Sequence, residues 1–250
     1  MCSLVFQKQK ETLLDPKKRQ DLLFHKVIQA VKNKALCAEE PHQMQAAFSW
    51  GTGFLIRPDI VITAGHNIFN YKNESYINWE NLSIYFGCFL SHHSQKYPSI
   101  EEKEEYKIKK ILWVTKVSNQ DFAVLQLDRD AKGVPLLPLN QNKRPTRGTP
   151  IYTIGHGNSL PAKFTPGAHF VKRFNRNYFS ANLDTFSGNS GSPVFNACTH
   201  EVEGILVKGL KDYELVPDGS CYTTKKYNRK HGEKVQIIGP VVQMLNHLNI

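Results

Sequence analysis

Phe54-Leu55-Ile56-Arg57-Pro58-Asp59-Ile60-Val61-Ile62-Thr63-Ala64-Gly65-His66 decides the fold class. Two apolar runs flank a turn at Arg57-Pro58-Asp59, which reads as a β-hairpin. The same texture continues downstream. Residues 82–86, 106–114 and 122–127 read as strands. A stretch marked by lysine and proline, about 129–148, connects them to a second set at 150–154, 168–171, 178–183, 193–195 and 204–207. Gly239-Pro240 followed by Val241, Met244, Leu245 and Leu248 has helical spacing after a proline start. Many short strands and one final helix predict an all-β protein, built as antiparallel barrels or a sandwich.

Composition agrees with a folded core. Of 250 residues, 40% are hydrophobic, 22% charged and 11% aromatic, too rich in core-formers for disorder as the main state. No stretch approaches the ~18 to 20 apolar residues of a membrane span. The net charge is +10, but the basic residues are spread along the chain. No arginine-rich run, zinc-finger spacing or RNP-type motif goes with them, so nucleic acid is not an expected partner. The five cysteines, Cys2, Cys37, Cys88, Cys198 and Cys221, form no C-x-x-C pair, and no structural zinc is expected. Their odd number leaves at least one free thiol in a monomer; the pairing is open.

Residues 1–45 read differently. Asp15-Pro16 is a helix-start signal, and Leu23, Val27 and Val31 follow at helical spacing. Lys17, Lys18, Arg19, Lys26 and Lys32 occupy the other faces. The expectation is an N-terminal helical extension packed on the body of the protein. The alternatives are a removable pro-segment and a basic amphipathic helix on a membrane surface. The apolar run at residues 1–6 is too short for a signal peptide. That leaves a cytosolic protein, one exported without a cleaved leader, or a chain written without one.

Three strings carry chemistry. Val61-Ile62-Thr63-Ala64-Gly65-His66 is a strand ending in a histidine. Asn119-Gln120-Asp121-Phe122-Ala123-Val124-Leu125 puts an acid at the start of an apolar strand. Ser187-Gly188-Asn189-Ser190-Gly191-Ser192-Pro193-Val194 puts a serine in a glycine-rich turn before a strand. A serine hydroxyl is a poor nucleophile until a base takes its proton. A neutral imidazole can do so near pH 7. A carboxylate on the other ring nitrogen fixes the tautomer and stabilises the imidazolium. Glycines around the serine let backbone N–H groups reach a developing oxyanion. Each string alone is an ordinary turn or cap; their ordered coincidence is specific.

These three strings resemble the signatures of trypsin-like serine peptidases. The form Gly188 to Asn196 is most similar to the bacterial branch that includes V8-type glutamyl endopeptidases. Trp50-Gly51-Thr52-Gly53-Phe54 matches the family's glycine-rich entry to the histidine hairpin. The resemblance covers roughly residues 48–250. It implies two six-stranded antiparallel barrels: the first over 46–130 with His66 and Asp121, the second over 131–250 with Ser190 and the C-terminal helix. It implies a serine endopeptidase with Ser190 as nucleophile, His66 as base and Asp121 as the orienting carboxylate. Gly188 and Ser190 would supply the oxyanion hole. No cofactor or metal is implied, and the partner is a protein or peptide substrate. Export from a bacterium fits the resemblance, while the oligomeric state has no signal. The competing expectations are a catalytically silent peptidase fold kept as a peptide-binding module, and a zymogen blocked by residues 1–45.

The resemblance leaves specificity divided. Thr185 matches a threonine that helps bind the substrate carboxylate in glutamyl endopeptidases, but Leu206 stands where those enzymes place a histidine. Asp184 falls where trypsin-like enzymes keep an acid for arginine and lysine. Lys208, beside the pocket strand, favours an acidic side chain instead. Asp184, Thr185, Leu206 and Lys208 are the candidate pocket residues.

Overall fold

The hairpin around Pro58 forms as its residues predict in the computed structural model, which describes residues 1–15, 17–92, 94–98, 104–115, 119–141, 145–227 and 232–250. Its strands belong to a closed six-stranded antiparallel barrel made of β1 (Cys2–Phe6), β2 (Gly51–Arg57), β3 (Ile60–Thr63), β6 (Leu82–Phe86), β7 (Tyr106–Val114) and β8 (Ala123–Leu127). A small hairpin, β4 (Phe69–Asn70) and β5 (Ser75–Tyr76), lies between β3 and β6. Leu55, Val61, Ile84 and Leu125 fill the interior of this barrel.

A second closed barrel consists of β9 (Pro150–Gly155), β10 (Lys163–Arg173), β11 (Tyr178–Ala181), β12 (Pro193–Asn196), β13 (Val202–Lys208) and β16 (Glu233–Ile237). Ile151, Phe179, Val194, Leu206 and Val235 fill it. The hairpin β14 (Tyr213–Leu215) and β15 (Tyr222–Thr224) projects between β13 and β16. The barrels meet along an apolar seam. Phe54, Ile62, Phe122 and Val124 of the first pack with Tyr178, Phe195, Ile205 and Val207 of the second. The predicted C-terminal helix, α3 (Gly239–His247), has Pro240 in its first turn and buries Val241 and Leu245 in the same seam. Alternating strands bury one face in a barrel and the other at the seam, which is why so many strand residues here are apolar on both faces.

The N-terminal region differs from its expected form in two ways. First, the initial five-residue apolar run is not part of an extension. β1 pairs with both β2 and β6, so it closes the first barrel. Cys2, Leu4 and Val5 are buried. Without β1 two strand edges would stand open to other chains. Second, Asp15 does not start a helix. It ends one, α1 (Gln7–Leu14), through its amide to Glu11 O; Pro16 lies outside the described residues. The next helix, α2 (Phe24–Lys32), begins at Phe24 and ends at Asn33 in a left-handed conformation. Val27 packs on the body as expected, with Phe24, Leu36, Ala47, Leu160 and Tyr213. The side chain of Val31 is outside the described residues.

A disulfide joins Cys37 to Cys221 across 184 residues of sequence. It fastens the N-terminal segment to the β14–β15 hairpin. Around it the Cys37 amide donates to Tyr222 O, and the Tyr222 amide to Ala35 O. The Glu40 carboxylate accepts from Thr223 Oγ1 at 2.8 Å and from Thr224 Oγ1 at 2.6 Å. Cys2 and Cys88 are buried free thiols and Cys198 is an exposed one. Among the described residues no helix is long and apolar enough to cross a membrane.

Candidate active site

His66 sits on a short 3-10 turn, Gly65–Asn67, directly after β3. The turn lies against Asp121 because Gly65 has no side chain. A Cβ there would come within 2.8 Å of Thr115 Oγ1 and 3.1 Å of Asp121 Oδ1, and would collide with the Tyr71 hydroxyl. Asp121 precedes β8, the strand paired with β3, so strand register alone brings the two residues together.

The carboxylate of Asp121 holds His66 at two points. Oδ2 lies 2.8 Å from His66 Nδ1, and Oδ1 accepts the His66 backbone N–H at 2.9 Å. The Tyr71 hydroxyl reaches Oδ1 at 3.4 Å and Thr115 Oγ1 at 2.9 Å. The other ring nitrogen, Nε2, lies 2.8 Å from Ser190 Oγ. A carboxylate only accepts, so a neutral ring must carry its proton on Nδ1. Nε2 is then the acceptor for the Ser190 hydroxyl. The Asp121 side chain is 16% exposed and that of His66 33%, so the pair is shielded while the ring edge stays open.

The Asp121 loop is also held from the other barrel. The Asp121 amide donates to Gln236 Oε1 at 3.0 Å. Gln236 is fully buried and donates through Nε2 to Asn177 O and Ile237 O. Asn177 Nδ2 in turn donates to Asn119 O at 2.7 Å.

The Ser190 turn is pinned from the first barrel. Thr52 donates its amide to Ser190 O at 2.8 Å and its hydroxyl to Gly188 O at 3.0 Å. Asn67 Nδ2 adds a bond to Ser190 O at 2.9 Å. The amides of Asn189 and Gly191 donate inward, to Phe186 O and Leu206 O. The alternate amides, Gly188 and Ser190, donate to no acceptor among the described residues. Gly188 has φ +96°, and a Cβ there would sit 2.5 Å from His156 O. Only glycine fits, and the turn leaves two N–H groups without acceptors beside a serine hydroxyl. That is the layout an oxyanion needs.

The sequence profile of the trypsin-like peptidase domain matches residues 51–205. The chain belongs to the trypsin-like peptidase family. The solved structures to which this trypsin-like domain is similar include several proteases. They include a Glu endopeptidase in complex with MPD, at 21% identity and TM-score 0.57, covering 79% of this chain and 84% of that one. The Vibrio cholerae VesB protease has 18% identity and TM-score 0.54, over 81% of this chain and 60% of that one. A protease from M. tuberculosis in its active form has 17% identity and TM-score 0.51, over 93% and 86%. At these identities the likeness is one of fold. No curated protein sequence matches the chain significantly.

A cavity of about 140 Å³ opens beside Ser190 in this trypsin-like domain. Three of the four expected pocket residues line it: buried Thr185, buried Leu206 and exposed Lys208. Asp184 does not. It is exposed and lines neighbouring cavities instead. His156 is buried, with Nδ1 bonded to Leu160 O at 3.0 Å; burial lowers its pKa to about 4 and keeps it neutral. It stands clear of the chemistry. The supporting residues Tyr71, Thr115, Asn177 and Gln236 had no sequence signal. Each acts across a long stretch of chain, and none lies in a motif.

Proposed function

We propose that this trypsin-like domain is an active serine endopeptidase of the V8-like branch. The observation that carries the reading is the continuous chain from Asp121 Oδ2 to His66 Nδ1 and from His66 Nε2 to Ser190 Oγ, each step 2.8 Å. Ser190 Oγ attacks the scissile carbonyl carbon as its proton passes to His66 Nε2. The carbonyl oxygen, now negative, is received by the Gly188 and Ser190 amides. Collapse expels the amine, which takes the proton from His66, and leaves an acyl group on Ser190. Water repeats the sequence and releases a carboxylic acid. Asp121 stays ionised and stabilises the imidazolium. Thr185, Leu206 and Lys208 shape the pocket for the residue on the acyl side. The substrate is a protein or peptide.

The Cys37–Cys221 disulfide supports a site of action outside the reducing cytosol, as in an exported protein. Residues 1–45 are read as a working part of the molecule rather than a discarded one, because β1 closes a barrel and Cys37 is covalently tied.

A fluorophosphonate tests the reading. Intact mass should show one adduct on the parent protein and none on Ser190→Ala. An unlabelled parent, or a labelled variant, would overturn it.

A further inference from the structure

Three lysines line up across the second barrel, starting at the Ser190 cavity. Lys208, at the end of β13, lines that cavity. It is the direct cross-strand partner of Lys234 on β16. Lys234 is in turn the partner of Ser180 on β11, and Ser180 of Lys172 on β10. Residues directly paired across antiparallel strands share a face of the sheet. With strands about 4.8 Å apart, the row from Lys208 to Lys172 is about 14 Å long. Lys208 and Lys172 are exposed and Lys234 is partly buried.

Like charges set directly opposite one another destabilise a sheet. Nothing in the fold offsets that cost. Among the described residues no carboxylate lies within ion-pair distance of any of the three. Lys234 lies over the Tyr178 ring at 3.6 Å and Lys172 over that of Phe174 at 5.3 Å. Burial lowers the Lys234 pKa; Asp121 opposes this and Lys208 adds to it. The acids on adjoining segments are committed elsewhere. Asp121 holds His66, and Asp212 accepts the Ser187 amide at 3.0 Å. Glu233 turns to the other face of β16, where Thr185 and the Leu210 amide bond it. Arg176, exposed on the turn between β10 and β11, adds a charge of the same sign. A local rule broken at the mouth of a site points to a ligand that repairs it. An anionic chain laid along the row would do so.

The Ser190 turn indicates which part of a substrate meets the row. The scissile carbonyl oxygen goes to the Gly188 and Ser190 amides, and the side chain on its acyl side enters the cavity. The turn at 186–188 forms one rim of that cavity and is taken up by the oxyanion; Lys208 and Gly209 form another. The acyl-side chain that leaves over Lys208 runs onto the row. At 3.3 to 3.4 Å per extended residue, about four residues cover its length.

We propose that Lys208, Lys234 and Lys172 form a docking surface for an acidic stretch of the substrate, on the acyl side and ahead of the residue held in the cavity. This rests on the serine-peptidase reading for its effect on cleavage, but not for binding. It is separate from the choice of side chain in the cavity itself.

The probes are peptides with one cleaved bond and one cavity residue, carrying either three glutamates or three glutamines in the preceding positions. At low salt kcat/KM should be about tenfold higher for the glutamate peptide, two- to threefold per lysine. The ratio should fall toward one at high salt. Lys172→Gln together with Lys234→Gln should cut it to about two, and the corresponding Lys→Glu pair should reverse it. The ratio is the readout, so a general loss of activity in these variants does not affect it. Ser190→Ala should bind the glutamate peptide about tenfold more tightly than the glutamine one, by fluorescence anisotropy. An equal gain from glutamates placed on the leaving side would show steering by net charge alone and overturn the surface. A ratio that survives in the lysine variants would overturn it too. A short DNA strand that bound Ser190→Ala more tightly than the acidic peptide would assign the row to nucleic acid instead. Fluorophosphonate labelling of the parent without a glutamate advantage would remove the surface and keep the peptidase. Glutamate-peptide binding to Ser190→Ala without labelling of the parent would do the reverse.

Discussion

The backbone N–H of Asp121 donates to the side-chain oxygen of Gln236 at 3.0 Å, and the two residues belong to opposite barrels. His66 and Asp121 come from the first barrel and Ser190 from the second, so their alignment depends on how the barrels dock. Gln236 is a cross-barrel positioning residue. In Gln236→Leu the amide of Asp121 loses its acceptor, at about 1 to 3 kcal/mol of stability. The loop loses its reference to the second barrel, and kcat should fall about ten- to a hundredfold with KM changed much less. Equal losses in kcat and 1/KM would point to pocket damage rather than misalignment.

Substitutions at Ser190 and Asp121 should differ in kind. Ser190→Ala should lower kcat by about six orders of magnitude and leave the melting temperature close to that of the parent. Asp121→Asn should cost about four orders, because the amide can hold the ring in the wrong tautomer. Steady-state kinetics with one peptide substrate decides both. An Asp121→Asn variant of near-parental rate would remove Asp121 from the mechanism.

Glu233 gives the folded state a pH dependence of known sign. Its carboxyl stays protonated up to about pH 7 in the folded protein, against an ordinary value of 4.5. Between these values the folded state holds more protons than the unfolded, so stability falls as pH rises through the window. Asp184 and Asp212 face the group and deepen the effect. Glu233→Gln cannot ionise and lacks this slope. Its melting temperature should therefore gain on the parent between pH 4.5 and pH 8, by an amount worth up to ~3 kcal/mol. Parallel melting curves across that range would show that Glu233 titrates normally.

The thiols give a direct count. Cys198 is exposed and free, whereas Cys2 and Cys88 are buried, and burial pushes the Cys2 thiol up to about 12. Under non-reducing conditions one thiol should react in the native protein and three after unfolding. Cys37→Ser together with Cys221→Ser should lose about 3 to 5 kcal/mol of stability, since the bridge closes a very long loop in the unfolded chain. Five reactive thiols in the unfolded, unreduced protein would mean that the bridge does not form.

Much of this was legible in the sequence for physical reasons. Leu82–Phe86 is legible at its observed bounds because Asn81 and Gly87 flank an apolar run, and Tyr106–Val114 because aromatic and aliphatic residues recur between Glu105 and Thr115. His66, Asp121 and Ser190 each lie in a local string whose small residues are needed for close approach. β1 was missed because five apolar residues before Gln7-Lys8 give no sign of which strands they join. α1 was missed because, of its Gln-Lys-rich residues, Leu13 is the one apolar side chain deep in a core. An acid before proline fits a helix start as well as a helix end, and Asp15 ends one. The family resemblance points to Asp184 as a residue of the Ser190 pocket, but it is exposed and lines the neighbouring cavities instead. Gln236 and Glu233 depend on contacts across the barrels and between distant strands, and no local pattern marks them.

The disulfide has one more consequence. His66, Asp121 and Ser190 all lie between Cys37 and Cys221, inside a single covalent ring of chain. A backbone nick in a loop of that ring would leave the two pieces covalently tethered. Damage of this kind would appear on a gel only after reduction.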